Sequence, residues 1–214
     1  MWCLSHGFVA ALTIPTAILG AFTLVTFLLR TWKLVRTNSQ CRPLGASRWS
    51  CDYFTWNLIL GTIASTAVLV TASESEPPNL RQAAMPQAVI LYIAGGQLLA
   101  TALMCHFGWT TPITLSSTLR GHPARPGVLV LAEDIVGVDG GGGQLYRSQL
   151  VARYEASPQF RALCQQLDWF WGAGSLAAAV ALTVLIYAVN DEDVTFGLGK
   201  SRIYITKSHK PDYC

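Results

Sequence analysis

The chain has 214 residues, of which 51% are hydrophobic and only 13% are charged, and its formal net charge is +3. Soluble domains carry about 25% charged residues, so the composition argues against an ordinary soluble domain. The positive charge is dispersed and forms no basic run, which excludes nucleic acid as an expected partner.

Four apolar stretches contain no Asp, Glu, Lys or Arg: residues 8–29, 54–72, 88–107 and 169–189. A helix needs about 20 apolar residues to cross the hydrocarbon core, and a charge at its centre would cost at least about 2.5 kcal/mol. The sequence therefore predicts an all-α integral membrane protein, a bundle of four transmembrane helices in the lipid bilayer of the plasma membrane or an endomembrane.

Basic residues are distributed unevenly among the connections. Residues 30–48 contain five of them and residues 120–161 contain another five, whereas Arg81 alone lies between the second and third stretches. Under the positive-inside rule, this bias predicts cytosolic first and third connections and places both chain ends outside.

The predicted organisation has four parts. Residues 1–110 hold transmembrane helices 1–3, residues 111–157 form a cytosolic Gly/acidic segment, and residues 158–199 form an amphipathic helix that continues into transmembrane helix 4. Ser157 as N-cap and Pro158 at the first helical position predict where that helix begins. Residues 200–214 are polar and basic, and their possible codons fit intron consensus sequences, so we expect intron read-through; the alternative is a genuine exposed tail.

Small residues within the stretches predict close helix packing, because helices in lipid associate through close backbone approach. The candidate packing positions are Gly61, Ser65, Gly95, Gly96, Gly174 and Ala178.

The long connection between the third and fourth stretches is predicted to be of mixed structure. The β-branched run at 128–131 and the following residues 133–139 predict one or two short strands. Residues 144–155 predict a short amphipathic helix with four side chains available for burial: Leu145, Leu150, Val151 and Tyr154.

The same connection contains the candidate ligand site. Glu133, Asp134 and Asp139 offer oxygen ligands to a hard cation. The glycines that follow, Gly140, Gly141, Gly142 and Gly143, can direct backbone N–H groups at a phosphate. A flexible turn with solvated acids is favoured over ligand contact, and a set of catalytic carboxylates is the least favoured alternative. The residue pattern predicts no catalytic set, metal centre or cofactor.

Three segments carry a family resemblance: Leu-Tyr-Ile-Ala-Gly-Gly-Gln at 91–97, the acidic and glycine residues at 133–143, and Arg-Tyr-Glu-Ala-Ser-Pro at 153–158. In these segments the chain resembles an uncharacterised family of small multi-pass membrane proteins of filamentous fungi, over most of residues 1–199. The resemblance implies that the Gly/acidic segment is a family hallmark, and it supplies no catalytic residues.

These features favour a non-enzymatic scaffold, accessory or sensor component with a membrane or cytosolic protein partner. A small-solute transporter or channel component is the alternative, because Asn57, Gln97 and the glycines at 95–96 lie within the stretches. A membrane enzyme that uses the Gly/acidic segment is less favoured.

Overall fold

The computed structural model describes residues 21–36, 39–45, 52–74 and 79–188, and this part of the chain is helical without a β-strand. We label the helices α1 (residues 21–35), α2 (Tyr53–Glu74), α3 (Leu80–Ala83), α4 (Pro86–Phe107), α5 (Gly127–Asp134), α6 (Gly143–Ala156) and α7 (Pro158–Ala188). A π-helix, Ile135–Asp139, directly follows α5.

Helices α2, α4 and α7 are each long and apolar enough to cross a membrane. Between 11% and 28% of their most apolar windows is buried, so most of their apolar surface faces outward, as it does in a protein surrounded by lipid. Of the first apolar stretch, residues 8–20 lie outside the described residues, as do residues 189–214. The four-helix bundle therefore stays a prediction, as does the origin of the tail.

The predicted strands in the long connection are wrong. Residues 128–131 belong to α5, and residues 133–139 complete α5 and form the π-helix. The first N–H groups of α5 are capped by the carboxylate of Asp168, which accepts from Gly127 N at 2.7 Å and from Val128 N at 2.7 Å. This distant cap and the burial of Leu129 and Val130 override the strand propensity of the β-branched residues.

Helix α6 matches the predicted segment in its limits but differs in the side chains that it buries. Leu145, expected to be available for burial, is 70% exposed, whereas the side chain of Arg147 is fully buried. The other three predicted side chains, Leu150, Val151 and Tyr154, are half-buried, so the apolar periodicity was wrong at Leu145 and did not identify Arg147. Helix α7 begins at Pro158, as the Ser157-Pro158 pair predicts, and Ser157 Oγ accepts from Phe160 N at 3.3 Å.

The described residues fall into two compact units. The first comprises those of 1–59 and 97–170, and the second those of 60–96 and 171–214. In the first unit, α5, the π-helix and α6 pack on one another. The limits of the four sequence-predicted parts stay a prediction.

The second unit contains a close approach of two helices. A Cβ added at Gly95 of α4 would lie 3.0 Å from Gly172 O, Leu176 N and Ser175 Cβ of α7. A Cβ at Gly61, Gly96 or Gly174 would meet no described atom within 4 Å.

The other two candidate packing residues also have defined positions. Ser65 is half-buried in α2, and Ala178 is exposed on α7, next to the fully buried Ala179. Close contact is thus seen at Gly95, while a packing role for Gly61, Ser65, Gly96, Gly174 and Ala178 stays a prediction.

We expect Gly95→Ala to lower the free energy of unfolding by about 1–3 kcal/mol, because the added methyl group forces α4 and α7 apart. Gly96→Ala is the matched control, and it should have no cost or raise stability by up to about 1 kcal/mol through helix propensity. Denaturation of both variants in the same detergent measures the difference. Equal effects at the two positions would contradict the close packing at Gly95.

Candidate functional site

Six charged side chains meet in the first unit, and we call them the acidic–arginine cluster. Five are at most 3% exposed, and Asp139, at the edge, is 48% exposed. They come from five segments of the described chain: α1, the residue preceding α2, α5, the π-helix and α6. The members are Arg30, Asp52, Glu133, Asp134, Asp139 and Arg147.

Arg147 joins α6 to the end of α5. Its Nη1 lies 2.9 Å from Glu133 Oε1 and 2.8 Å from Asp134 Oδ1. Its Nη2 donates to the carbonyl oxygen of Cys41 at 3.1 Å and lies 4.0 Å from Asp52 Oδ2. One buried guanidinium thus holds two adjacent carboxylates and the connection after α1.

Arg30 occupies the other side of the cluster. Its guanidinium forms ion pairs with Asp52 and Asp139. It also donates to Thr55 Oγ1 at 3.2 Å and to the carbonyl oxygen of Asp134 at 3.0 Å. Its Cζ lies 4.6 Å from the ring centroid of Phe54. Arg30 therefore links α1 to the start of α2 and to the π-helix.

Two serines complete the shell of the acidic groups. Ser116 Oγ donates to Asp134 Oδ2 at 2.5 Å, and Ser117 Oγ donates to Glu133. Each serine oxygen also accepts a backbone N–H, Ser116 from Tyr53 and Ser117 from Leu44, both at 2.9 Å. The loop before α5 is thereby tied to the cluster at two adjacent residues.

The glycine run ends the π-helix and reverses the chain into α6. Gly140 N donates to Ile135 O at 3.1 Å, and Gly142 N donates to Val136 O at 3.0 Å. Gly141 has a φ of +70°, which a residue with a side chain rarely adopts. Two of the N–H groups proposed for a phosphate cradle are therefore engaged in the turn.

The cluster contains two arginines and four carboxylates, so its acidic groups compete for positive charge. Burial, followed by the neighbouring charge of Asp52, raises the pKa of Asp134 to about 6, against the opposing effect of the bonds from Ser116 and Arg147. Burial lowers the pKa of Arg147, but its bonds to Asp134 and Glu133 outweigh this effect and raise the pKa above its ordinary value. Arg147 is therefore charged, and Asp134 is the group that can titrate near neutrality.

The structure brings two of the predicted cation ligands together and separates the third. Glu133 and Asp134 share Arg147, whereas Asp139 pairs with Arg30. Within the described ranges, no three His, Cys, Asp or Glu side chains are grouped so that they could hold a metal ion. Ligand contact by Glu133, Asp134, Asp139 and Gly140–Gly143 stays a prediction.

The chain matches the family model described as "Domain of unknown function (DUF8766)" over residues 2–208. The chain belongs to this family. No curated protein and no solved structure matches it. The expected membership in an uncharacterised family is confirmed, and the fungal origin stays a prediction.

Three members of the cluster were not predicted as site residues from the sequence: Arg30, Asp52 and Arg147. Asp52 carries a local signal, because an Asp just before an apolar helix is a typical N-cap, and its Oδ1 accepts from Thr55 N at 3.0 Å. The sequence pattern showed Arg30 and Arg147 only as part of the positive charge that predicts topology. Their acidic partners lie more than ten residues away in the sequence, so no local pattern indicates the pairing.

We expect Arg147→Ala to lower the free energy of unfolding by about 3–5 kcal/mol, because it leaves Glu133 and Asp134 buried without a counter-ion. Arg153→Ala is the matched control on the same helix. Arg153 is exposed and stacks on Phe160, with its Cζ 4.7 Å from the ring centroid, so this variant should lose about 1 kcal/mol or less. Chemical denaturation in detergent measures both, and similar losses would contradict the structural role of Arg147.

The raised pKa of Asp134 predicts a pH dependence of stability with a defined sign. The folded protein binds the Asp134 proton more tightly than the unfolded chain does. Protonation of Asp134 therefore stabilises the fold fully below about pH 4, and this stabilisation is lost as the pH rises through about 6. Unfolding curves at several pH values should show this loss, and Asp134→Asn should flatten it. Ser148→Ala, at an exposed site without a titrating group, should leave the slope unchanged. An unchanged slope in Asp134→Asn would overturn the assignment.

Proposed function

We propose that the chain is a multi-pass integral membrane protein that acts as a non-enzymatic scaffold, accessory or sensor component. Three long apolar helices with mostly exposed surfaces support its placement in a membrane. In this proposal, the unit that contains the acidic–arginine cluster presents an ordered surface to a protein partner.

One observation carries the non-enzymatic part of this proposal. Each of the three acidic residues that the sequence offered for chemistry is bound to an arginine, and Glu133 and Asp134 are at most 1% exposed. A general acid or base must reach a substrate proton at hydrogen-bond distance. Carboxylates enclosed by arginine and serine side chains serve the fold instead.

The distribution of basic residues supports a cytosolic position for the cluster. Arg30, Arg42, Arg125 and Arg147 belong to the first unit, and Arg81 belongs to the second. Cytosolic connections of membrane proteins carry an excess of Lys and Arg. We therefore propose that the connections after α1 and after α4 face the cytosol.

A polar group within α4 favours a second candidate, a component of a small-solute transporter or channel. The Oε1 atom of Gln97 is buried and has no hydrogen-bond partner among the described residues. Polar groups inside membrane helices often mark a substrate path. If this alternative holds, purified protein in proteoliposomes will conduct a solute, and Gln97→Leu will abolish that flux.

Asp139→Asn tests the scaffold proposal, because Asp139 is half exposed and Arg30 keeps its ion pair with Asp52 when Asp139 is changed. In cells with a measurable deletion phenotype, we expect Asp139→Asn to complement as well as the wild-type chain at equal abundance. The measurement is growth or phenotype against protein level in membranes. Glu155→Gln, another exposed acid that pairs with an arginine, is the control.

Loss of complementation by Asp139→Asn at wild-type abundance, with Glu155→Gln unaffected, would overturn the non-enzymatic role and favour a catalytic or ligand-binding carboxylate. Solute flux that depends on Gln97 would overturn it in favour of transport.

A further inference from the structure

The connection between α4 and α5 forms an ordered hairpin that begins at Trp109, two residues after the end of α4. Thr110 and Pro123 form an antiparallel bridge. Trp109 O accepts from Ala124 N at 3.1 Å, and Thr111 N donates to His122 O at 2.9 Å. Residues 109–123, which we call the interfacial hairpin, therefore hold a fixed position at the end of a helix long enough to cross a membrane.

One side of the interfacial hairpin is held by the first unit. Leu115, Ser116 and Thr118 are buried. The hydroxyls of Ser116 and Ser117 bind the carboxylates of the acidic–arginine cluster. These contacts determine which side chains remain on the outer side.

Three large apolar side chains of the hairpin are exposed. Trp109 is 59% exposed, Ile113 is 63% exposed and Leu119 is 44% exposed. Trp109 stacks on Phe107, the exposed last residue of α4, with ring centroids 5.3 Å apart. This surface thus continues directly from the outward face of α4, and Trp is the residue type enriched where a membrane helix meets the headgroups.

The charge of this connection is of one sign. Residues 108–126 contain no Asp or Glu. Arg120 and His122 are exposed, and Arg125 pairs with Glu155. Basic side chains next to a membrane helix are attracted to the anionic lipids of the cytosolic leaflet. Exposed apolar groups together with an exposed arginine that forms no ion pair among the described residues match the chemistry of such a leaflet.

We propose that the interfacial hairpin lies in the headgroup region of an anionic lipid leaflet, with Ile113 and Leu119 among the upper acyl chains and Arg120 on the anionic headgroups. This inference rests on the proposed membrane location. It assigns the outer face of the hairpin to lipid and leaves the rest of the first unit for a protein partner.

Site-specific photo-crosslinking of the full chain in liposomes tests this assignment. The photoreactive residue p-benzoylphenylalanine is placed at position 113, at position 148 on the exposed side of α6, or at position 63 in α2, where Ile63 is 62% exposed. The liposomes contain phosphatidylcholine alone or with phosphatidylserine, and mass spectrometry counts the lipid adducts. We expect adducts at 63 and 113 at several times the yield at 148.

The arginine is tested in the same liposomes. Arg120→Gln should reduce the preference of position 113 for phosphatidylserine adducts by about fivefold, because one basic residue near the surface contributes about that factor. A similar exposed arginine on α6, Arg153, provides the control, and Arg153→Gln should leave the preference unchanged.

The outcomes separate this inference from the proposed function. If position 63 gives lipid adducts but position 113 gives no more of them than position 148 does, the hairpin assignment alone is overturned. Adducts between position 113 and protein, in place of lipid, would also overturn it. Absence of lipid adducts at 63 would overturn the membrane location itself.

Discussion

The ion pairs of Arg147 are the constraint on which the rest of the first unit depends. A guanidinium with no exposed surface is tolerable only if carboxylates and hydrogen-bond acceptors surround it, because a buried unpaired charge costs several kcal/mol. Two acidic residues, Glu133 and Asp134, must therefore end α5 at the place where α6 passes. Arg147 also donates to the Cys41 carbonyl, and the two carboxylates that it holds accept hydrogen bonds from the Ser116 and Ser117 hydroxyls.

The local backbone follows from this requirement. A Cβ at Gly137 would lie 2.8 Å from Arg147 Nε, so only glycine leaves room for the guanidinium beside the π-helix. The carbonyl of Asp134, at the junction of α5 and the π-helix, accepts a bond from Arg30, and Asp139 at the end of the π-helix pairs with the same arginine. A π-helix is rare, and it frequently occurs at a functional site. Here the segment from Glu133 to Asp139 forms ion pairs with both Arg147 and Arg30. The glycine run then turns the chain towards α6.

Sequence reasoning succeeds where the determinant is local and fails where it is distant. Apolar length defines α2 and α4 to within two residues, and Ser157-Pro158 gives the start of α7. The helical state of residues 127–139 was not predictable, because its cap, Asp168, lies about 40 residues further along the chain. The acidic residues were recognised, but the arginines that bind them were not. No sequence pattern distinguishes the buried Arg147 from the exposed Arg153 on the same helix.

In the proposed orientation, Arg30 and Arg147 have two roles, one during membrane insertion and one in the folded protein. The positive-inside bias operates as the helices insert, when these side chains are still unpaired, and acidic residues contribute little to it. Helices that have inserted then pack, and at this second stage the carboxylates of Asp52, Glu133, Asp134 and Asp139 neutralise the arginines inside the first unit. These two arginines are consequently absent from the folded surface, but the cluster also holds four carboxylates, so the net positive charge outside it is not reduced. The exposed arginines that remain, such as Arg120, are the ones left to meet lipid or a partner, and for this reason function in this chain is to be sought on its surfaces rather than in its charged interior.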